Sequence, residues 1–234
     1  MTVPCIDLRF RWPHLRAAIV ALDESTLDKL KRLTPDLQGL SNGSAHLLAG
    51  KLAGLFDLRR QQWRCVQLRT DVLAACNTGV LMLLDGLPLG SLILADLGYF
   101  SFVWFDYLTE QGYYYISRLR TNGSYLIKHI YYQDEEHHVL DAVVWLGAHN
   151  TCKAGHVVRL VQFELHGKLH RYITNVIDPL QLPMLELAQL YARRWDIELT
   201  FKLLKRDLGM HIWWAARQEL VEIQLWIALI LMTC

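Results

Sequence analysis

Near the C-terminal end of the 234-residue chain, Tyr191, Arg194, Glu198, Lys202 and Lys205 have types and spacing suited to phosphate chemistry. The stretch 190–205 reads as the middle of one helix. Pro183 suits a first helical turn, Gly209 a stop, and no Gly or Pro lies between them. At about 100° per residue, Tyr191, Arg194, Glu198 and Lys205 fall within a fan roughly 60° wide, and Lys202 joins them. Leu190, Ile197, Leu204 and Leu208 lie opposite and are expected to face a core. One carboxylate ringed by cations and an aromatic can hold a metal ion beside a phosphate backbone. The same stripe also reads as a solvated face with ion pairs such as Arg194–Glu198. The helix alone does not separate the two readings.

A metal site needs further carboxylates, and two aspartates follow apolar runs of strand type. Residues 16–22 form a short run with Ile and Val, read as a central strand, with Asp23 at its carboxyl end. Residues 91–95 form a second buried strand ending at Asp96, with Gly98 and Tyr99 shaping the turn that follows. Asp7, Asp71, Asp85 and Asp106 are rivals, but none follows an apolar strand as directly.

The spacing Tyr191-x2-Arg194-x3-Glu198-x6-Lys205 resembles in full the Tyr-Arg-Glu-Lys signature of the IS-four group of DDE transposases. The run into Asp96-x-Gly98-Tyr99 resembles that family's second-aspartate motif. The run into Asp23-x-x-Thr26 resembles the first, which in the family is more often Asp-x-Thr. The resemblance covers residues 16 to 230.

It implies an α/β fold, a ribonuclease-H-like mixed sheet flanked by helices, with a β-rich insertion before the last catalytic helix. It implies a DNA transposase core that cleaves transposon ends by 3′-nicking and a hairpin, then joins them to target DNA. Asp23, Asp96 and Glu198 would be the catalytic and metal-holding trio, with two Mg2+ or Mn2+ ions per site. Such ions, about 4 Å apart, stabilise the attacking and leaving oxygens of an in-line displacement at phosphorus. Oxygen ligands suit them. Tyr191, Arg194, Lys202 and Lys205 would bind the DNA, Arg194 by a bidentate fork and Lys205 as a point charge. The partners implied are double-stranded DNA, as transposon ends and as target, and a second copy of the chain in a homodimer.

The family has a helical DNA-binding segment ahead of the first aspartate and continues beyond the last residue here. The resemblance therefore implies a chain truncated at both ends. The alternative function is an inactive fragment that only binds DNA or inhibits the full-length protein. A ribonuclease-H-like nuclease without strand transfer and a membrane-associated protein are the remaining readings.

Composition bounds these readings. A hydrophobic content of 53% with 20% charged residues is globular. A net charge of +1 means that any nucleic-acid surface must be local. Arg59, Arg60, Arg64 and Arg69 form one basic stretch, and Arg193, Arg194, Lys202, Lys205 and Arg206 another. The five cysteines are scattered without a C-x-x-C, which indicates neither a zinc site nor a disulfide frame. A reducing cytoplasm fits, bacterial by the resemblance and nucleoid-associated when bound to DNA. The apolar run 220–234 is shorter than the ~20 residues that cross a bilayer, and is expected to be a buried core helix with no membrane role.

The expected domains are a catalytic core over 1–120, a β-rich insertion over 121–180 and a second core part over 181–234 carrying the glutamate helix. In the first, strands are expected over 45–58 and 62–70, a helix within 71–87, a helix over 102–111 capped by Ser101, and a strand over 113–119. In the insertion, strands are expected over 125–132, 139–146, 156–165 and 168–176, with turns at Asn122-Gly123 and His166-Gly167. Glu135-Glu136-His137-His138 is expected to be a solvated turn, since its spacing suits no metal site. Trp145 is expected to pack the hairpins; the resemblance offers it a second role, stacking on a displaced base.

Overall fold

The computed structural model describes residues 17–27, 39, 41, 49–71, 73, 75–76, 79–120, 122–148, 152–210, 213 and 217–232. The strands are β1 (Ile19–Thr26), β2 (Lys51–Asp57), β3 (Gln62–Arg69), β4 (Leu92–Ala95) and β5 (Tyr114–Arg118). They continue with β6 (Tyr125–Asp134), β7 (Val139–Leu146), β8 (Val158–Leu165) and β9 (Lys168–Thr174). The helices are α1 (Val80–Leu83), α2 (Phe102–Glu110), α3 (Met184–Ala192), α4 (Trp195–Arg206) and α5 (Gln218–Leu231). Asp7 and residues 45–48 of the strand expected over 45–58 lie outside the described residues.

The chain divides into two units. The first comprises Met1–Ala21, Asp57–Gln61 and Asp85–Arg194; the second comprises Leu22–Phe56, Gln62–Leu84 and Trp195–Cys234.

In the first unit the apolar run Leu92–Ala95 has no room for polar alternation because both of its faces are covered, and all four side chains are fully buried. Burying each of its larger side chains stabilises the fold by about 1.5–3 kcal/mol. β4 pairs in parallel with β5, and Leu92 N–H donates to Ala18 C=O at the start of β1 (2.9 Å). β5 then pairs antiparallel with β9, and β9, β8, β7 and β6 follow in that order, each antiparallel to the next. The β8–β9 turn falls at His166-Gly167, both left-handed (φ 52° and 70°), the geometry of a two-residue hairpin. On the helical side, Phe105 of α2 stacks on Tyr115 of β5 at 4.7 Å, and α3 buries Leu187, Leu190 and Tyr191. Ser101 occupies the N-cap position of α2 without a side-chain capping bond.

In the second unit the strand order is β3-β2-β1. Helix α4 buries Ile197, Phe201 and Leu204, and the Phe201 ring meets Trp63 of β3 at 5.1 Å. Trp63 lies across β2 only because residue 54 is glycine; a Cβ there would come within 2.7 Å of the indole.

Several expectations are corrected. The single helix over 183–209 is two helices. Arg193 and Arg194 donate their N–H groups to Leu190 and Tyr191 C=O, both at 3.0 Å, so the last turn of α3 tightens to three-residue bonds and ends. Tertiary anchoring of Tyr191 and Arg194 overrides the helix propensity of the run. β1 does not stop at Asp23 but continues to Thr26, and Leu27 N–H still reaches Gly50 C=O at 2.8 Å. Within 71–87 only Val80–Leu83 is helical among the described residues. The apolar C-terminal helix is buried on one face alone: Val221, Leu225 and Ala228 are covered, whereas Ile223 and Trp226 are each 53% exposed. No helix among the described residues is long and apolar enough to cross a membrane.

Candidate active site

Asp96 follows the buried strand β4 with extended backbone, and a 3-10 turn over Leu97–Tyr99 leads away from it. Tyr99 N–H closes that turn on Asp96 C=O at 3.0 Å, while the Tyr99 ring is buried. Gly98 and Tyr99 thus fix where the aspartate projects. Two residues of the expected DNA-binding set meet it here. Tyr191 Oη donates to Ala95 C=O at 3.3 Å, tying the end of α3 to the end of β4. Arg194 Nε lies 3.9 Å from Asp96 Oδ1, and its Cζ sits 5.9 Å from the Tyr191 ring centroid. The Arg194 side chain is 8% exposed, whereas that of Asp96 is 37% exposed. The carboxylate therefore faces solvent while the cation beside it is buried. Burial pushes the Tyr191 phenol well above its usual range, with the Arg194 charge pulling the other way.

In the second unit Asp23 and Glu24 are consecutive on β1 and so project to opposite sides. Glu24 is fully engaged: Oε1 lies 2.9 Å from Lys51 Nζ and 3.0 Å from Cys76 Sγ, and Oε2 lies 3.3 Å from an Arg69 nitrogen. That network knits β1 to β2 and β3. Asp23 Oδ1 accepts the Glu24 N–H at 2.8 Å. Glu198 is half-buried on α4, three residues before the buried Phe201 that packs the helix on Trp63. Lys205 Nζ donates to Thr26 C=O at the end of β1, which ties α4 to that strand. Lys202 Nζ lies 5.5 Å from the centroid of the exposed Trp195 ring. By unit, Tyr191 and Arg194 lie with Asp96 in the first, and Glu198, Lys202 and Lys205 with Asp23 in the second.

Carboxylate oxygens suit a hard divalent cation, so the donor chemistry of Asp23, Asp96 and Glu198 fits one. Among the described residues, no group of three or more His, Cys, Asp or Glu side chains is gathered closely enough to hold a metal ion.

Two of the rival aspartates have other work. Asp106 accepts the N–H groups of Gly155 and His156 at 2.7 and 3.0 Å, and Asp71 accepts that of Leu73 at 2.9 Å. Residues 135–138 form the β6–β7 turn, where His137 meets Asp134 at 2.8 Å. Trp145 Nε1 donates to Ala154 C=O at 2.7 Å, and its ring lies beneath Lys128. The basic stretch 59–69 is not a free patch: Arg59 donates to Ala17 C=O, and Arg69 is buried against Glu24. Sequence reasoning missed the buried Arg159–Asp141 pair, in which both carboxylate oxygens are 2.6 Å from guanidinium nitrogens and a third arm reaches Leu182 C=O at 2.5 Å. The signal was present, since each residue interrupts a Val- and Leu-rich strand.

The family model described as "Transposase DDE domain" matches residues 20–234. The chain belongs to the transposase DDE domain family. Its IS-four-like character is supported by two curated relatives, the transposases for insertion sequence elements IS231B and IS231E of Bacillus thuringiensis subspecies berliner and finitimus. Each is 24% identical to this DDE-domain chain. The alignments cover 59% and 57% of it and 39% and 38% of the relatives. The chain thus spans about two-fifths of the length of these relatives. Among solved structures, the piggyBac transposase synaptic complex with hairpin DNA superposes with a TM-score of 0.55 at 9% identity, covering 91% of this chain and 45% of that one. That likeness is one of fold, and it makes the mixed α/β sheet with its helices a ribonuclease-H-like DDE fold.

Proposed function

We propose that this chain is the catalytic core of a DNA transposase that cleaves transposon ends and transfers the strand into target DNA, with Asp23, Asp96 and Glu198 as its catalytic trio. The observation that carries the reading is the group at the end of β4 in a DDE-domain chain: an exposed Asp96 carboxylate held beside a buried Arg194 and an anchored Tyr191. Family membership carries a dependence on divalent metal, and we assign two Mg2+ or Mn2+ ions to the three carboxylates. When bound, such ions supply charge stabilisation of the attacking and leaving oxygens at phosphorus. Arg194 presents a planar fork to the non-bridging phosphate oxygens, and its burial strengthens that attraction. Tyr191, by its bond to Ala95 C=O, fixes where that fork sits. Lys205, placed by its bond to Thr26 C=O, supplies a point charge for a neighbouring phosphate, and Lys202 adds charge on the same helix.

Double-stranded DNA is the substrate in this reading and a homodimer the working form, in the bacterial cytoplasm; residues 121–180 are an inserted module. The test is nicking and strand transfer on a transposon-end duplex with Mg2+, Mn2+ or chelator. Cleavage that needs the ion and vanishes in Asp23→Ala, Asp96→Ala and Glu198→Ala supports the trio. Duplex binding with no cleavage under any ion favours the non-catalytic fragment, and cleavage without joining favours a plain nuclease.

A further inference from the structure

One sheet face in the first unit carries more than the site uses. Directly opposed residues of antiparallel strands share a face. The register pairs Arg118 of β5 with Tyr172 of β9, and Phe163 and Leu165 of β8 with His170 and Lys168 of β9. Arg118, Lys168, His170, Tyr172 and Phe163 therefore lie on one face. Glu164 and Arg171, one residue along, lie on the other. The rings form a continuous series. Phe163 stacks on His170 at 5.7 Å and 15°, His170 on Tyr172 at 6.2 Å, and Tyr172 meets Tyr191 at 4.8 Å. Tyr191 is in turn covered by Arg194, which stands beside Asp96. Towards its outer end the face opens: Arg118 and Lys168 are exposed, Phe163 and His170 half-buried. The field there is positive, since the nearby Lys168 and Arg118 charges, after burial, hold the His170 imidazole below its usual range.

We infer that this face is a DNA-binding track, along which the strand continuing from the phosphate at Asp96 lays its backbone against Arg118, Lys168 and His170 and its sugar edges against Phe163. The inference rests on the transposase reading and extends it. Two things single out DNA as the occupant: cations without a carboxylate from β5, β8 or β9 among them, and unbroken contact with the group around Asp96.

Backbone binding is largely independent of sequence, so a fluorescent random-sequence duplex is a sufficient probe. Its affinity is measured against salt for the whole chain. Lys168→Gln and Arg118→Gln should each weaken binding several-fold and reduce the salt slope by about one. Arg171→Gln removes the same charge from the opposite face of β9 and should leave the slope unchanged. By NMR, saturating duplex should raise the His170 titration midpoint, because a phosphate beside it favours the imidazolium. A wild-type chain that neither binds nor cuts DNA defeats the transposase reading itself. A chain that binds and cuts, with an unmoved His170 and slopes alike in all three variants, overturns the track alone.

Discussion

Two Arg–Asp pairs in the first unit differ in almost every respect. Arg159 and Asp141 face each other from β8 and β7 with both oxygens engaged at 2.6 Å, and the arginine is wholly buried. Arg194 and Asp96 stand 3.9 Å apart, beyond hydrogen-bonding reach, and only the arginine is buried. The first pair is closed. Its charges satisfy each other, and the spare guanidinium arm holds Leu182 C=O at the entrance to α3. The second is open, and its carboxylate has lone pairs to offer. The sheet interior uses charge to fix a helix entrance, whereas the end of β4 leaves the Asp96 carboxylate partly open to solvent.

The contrast breaks most directly with isosteric amides. Asp141→Asn leaves the Arg159 charge buried without its counterion, and unfolding in urea should show a loss of about 3–5 kcal/mol. Asp96→Asn should leave stability within about 0.5 kcal/mol, yet lower metal-dependent nicking by more than about 100-fold, beyond what a contact outside the ligand shell costs. If Asp96→Asn instead unfolds the protein as Asp141→Asn does and the refolded fraction still cuts, the two pairs are alike and Asp96 is structural.

A finer separation comes from keeping the charge and removing the fork. Arg159→Lys surrenders the bidentate geometry and the bond to Leu182, and should cost about 1–3 kcal/mol of stability. Arg194→Lys should change stability less but reduce nicking roughly tenfold, since a point charge grips phosphate oxygens without setting their orientation. Equal stability losses in the two lysine variants would remove the distinction.

How far these pairs could be read from the residues differs for a physical reason. Asp96 was legible because a strand buried on both faces leaves an unbroken apolar run, and the first polar residue after it marks an end. The strands β6 to β9 were legible because alternation and turn residues are local signals; His166-Gly167 needs only its own backbone to make a hairpin. The break between α3 and α4 was not, since Arg193 and Arg194 are good helix formers. What ends α3 is the pull of Tyr191 onto Ala95 C=O, a partner 96 residues away. Nor did the periodicity of β1 show that the strand outruns Asp23, because pairing to Gly50, not hydropathy, carries it on. The wheel drawn through 183–209 assumed one continuous helix, and the chain instead forms α3 and α4 with a break at Arg193 and Arg194.

Tyr191→Phe tests the anchoring more gently. Losing the bond to Ala95 C=O should cost about 1 kcal/mol and loosen the Arg194 fork, so nicking should fall more than stability alone explains. The phenol adds a sign. Its folded pKa is raised by burial, so the stabilisation it contributes is fully present below about pH 10, the unfolded value, and is lost as pH climbs through the folded one. Alkaline unfolding should therefore be shallower in Tyr191→Phe than in wild type, and parallel curves would argue that this phenol is not buried in solution.

The smallest effect contrasts the adjacent acids of β1. Glu24 belongs to a closed network like that of Asp141, and Cys76 reports on it. Burial, then the hydrogen bond to Glu24 and its charge, push the Cys76 thiol up to about 11. In a chain with its other cysteines replaced by serine, alkylation of Cys76 should approach half its plateau rate only near that pH, and Glu24→Gln should bring the midpoint back toward the ordinary thiol range. Asp23→Asn, one residue away but on the opposite side of the strand, should leave it in place. Should Asp23→Asn shift the midpoint as far as Glu24→Gln does, the two carboxylates share one environment and their projection to opposite sides of β1 fails.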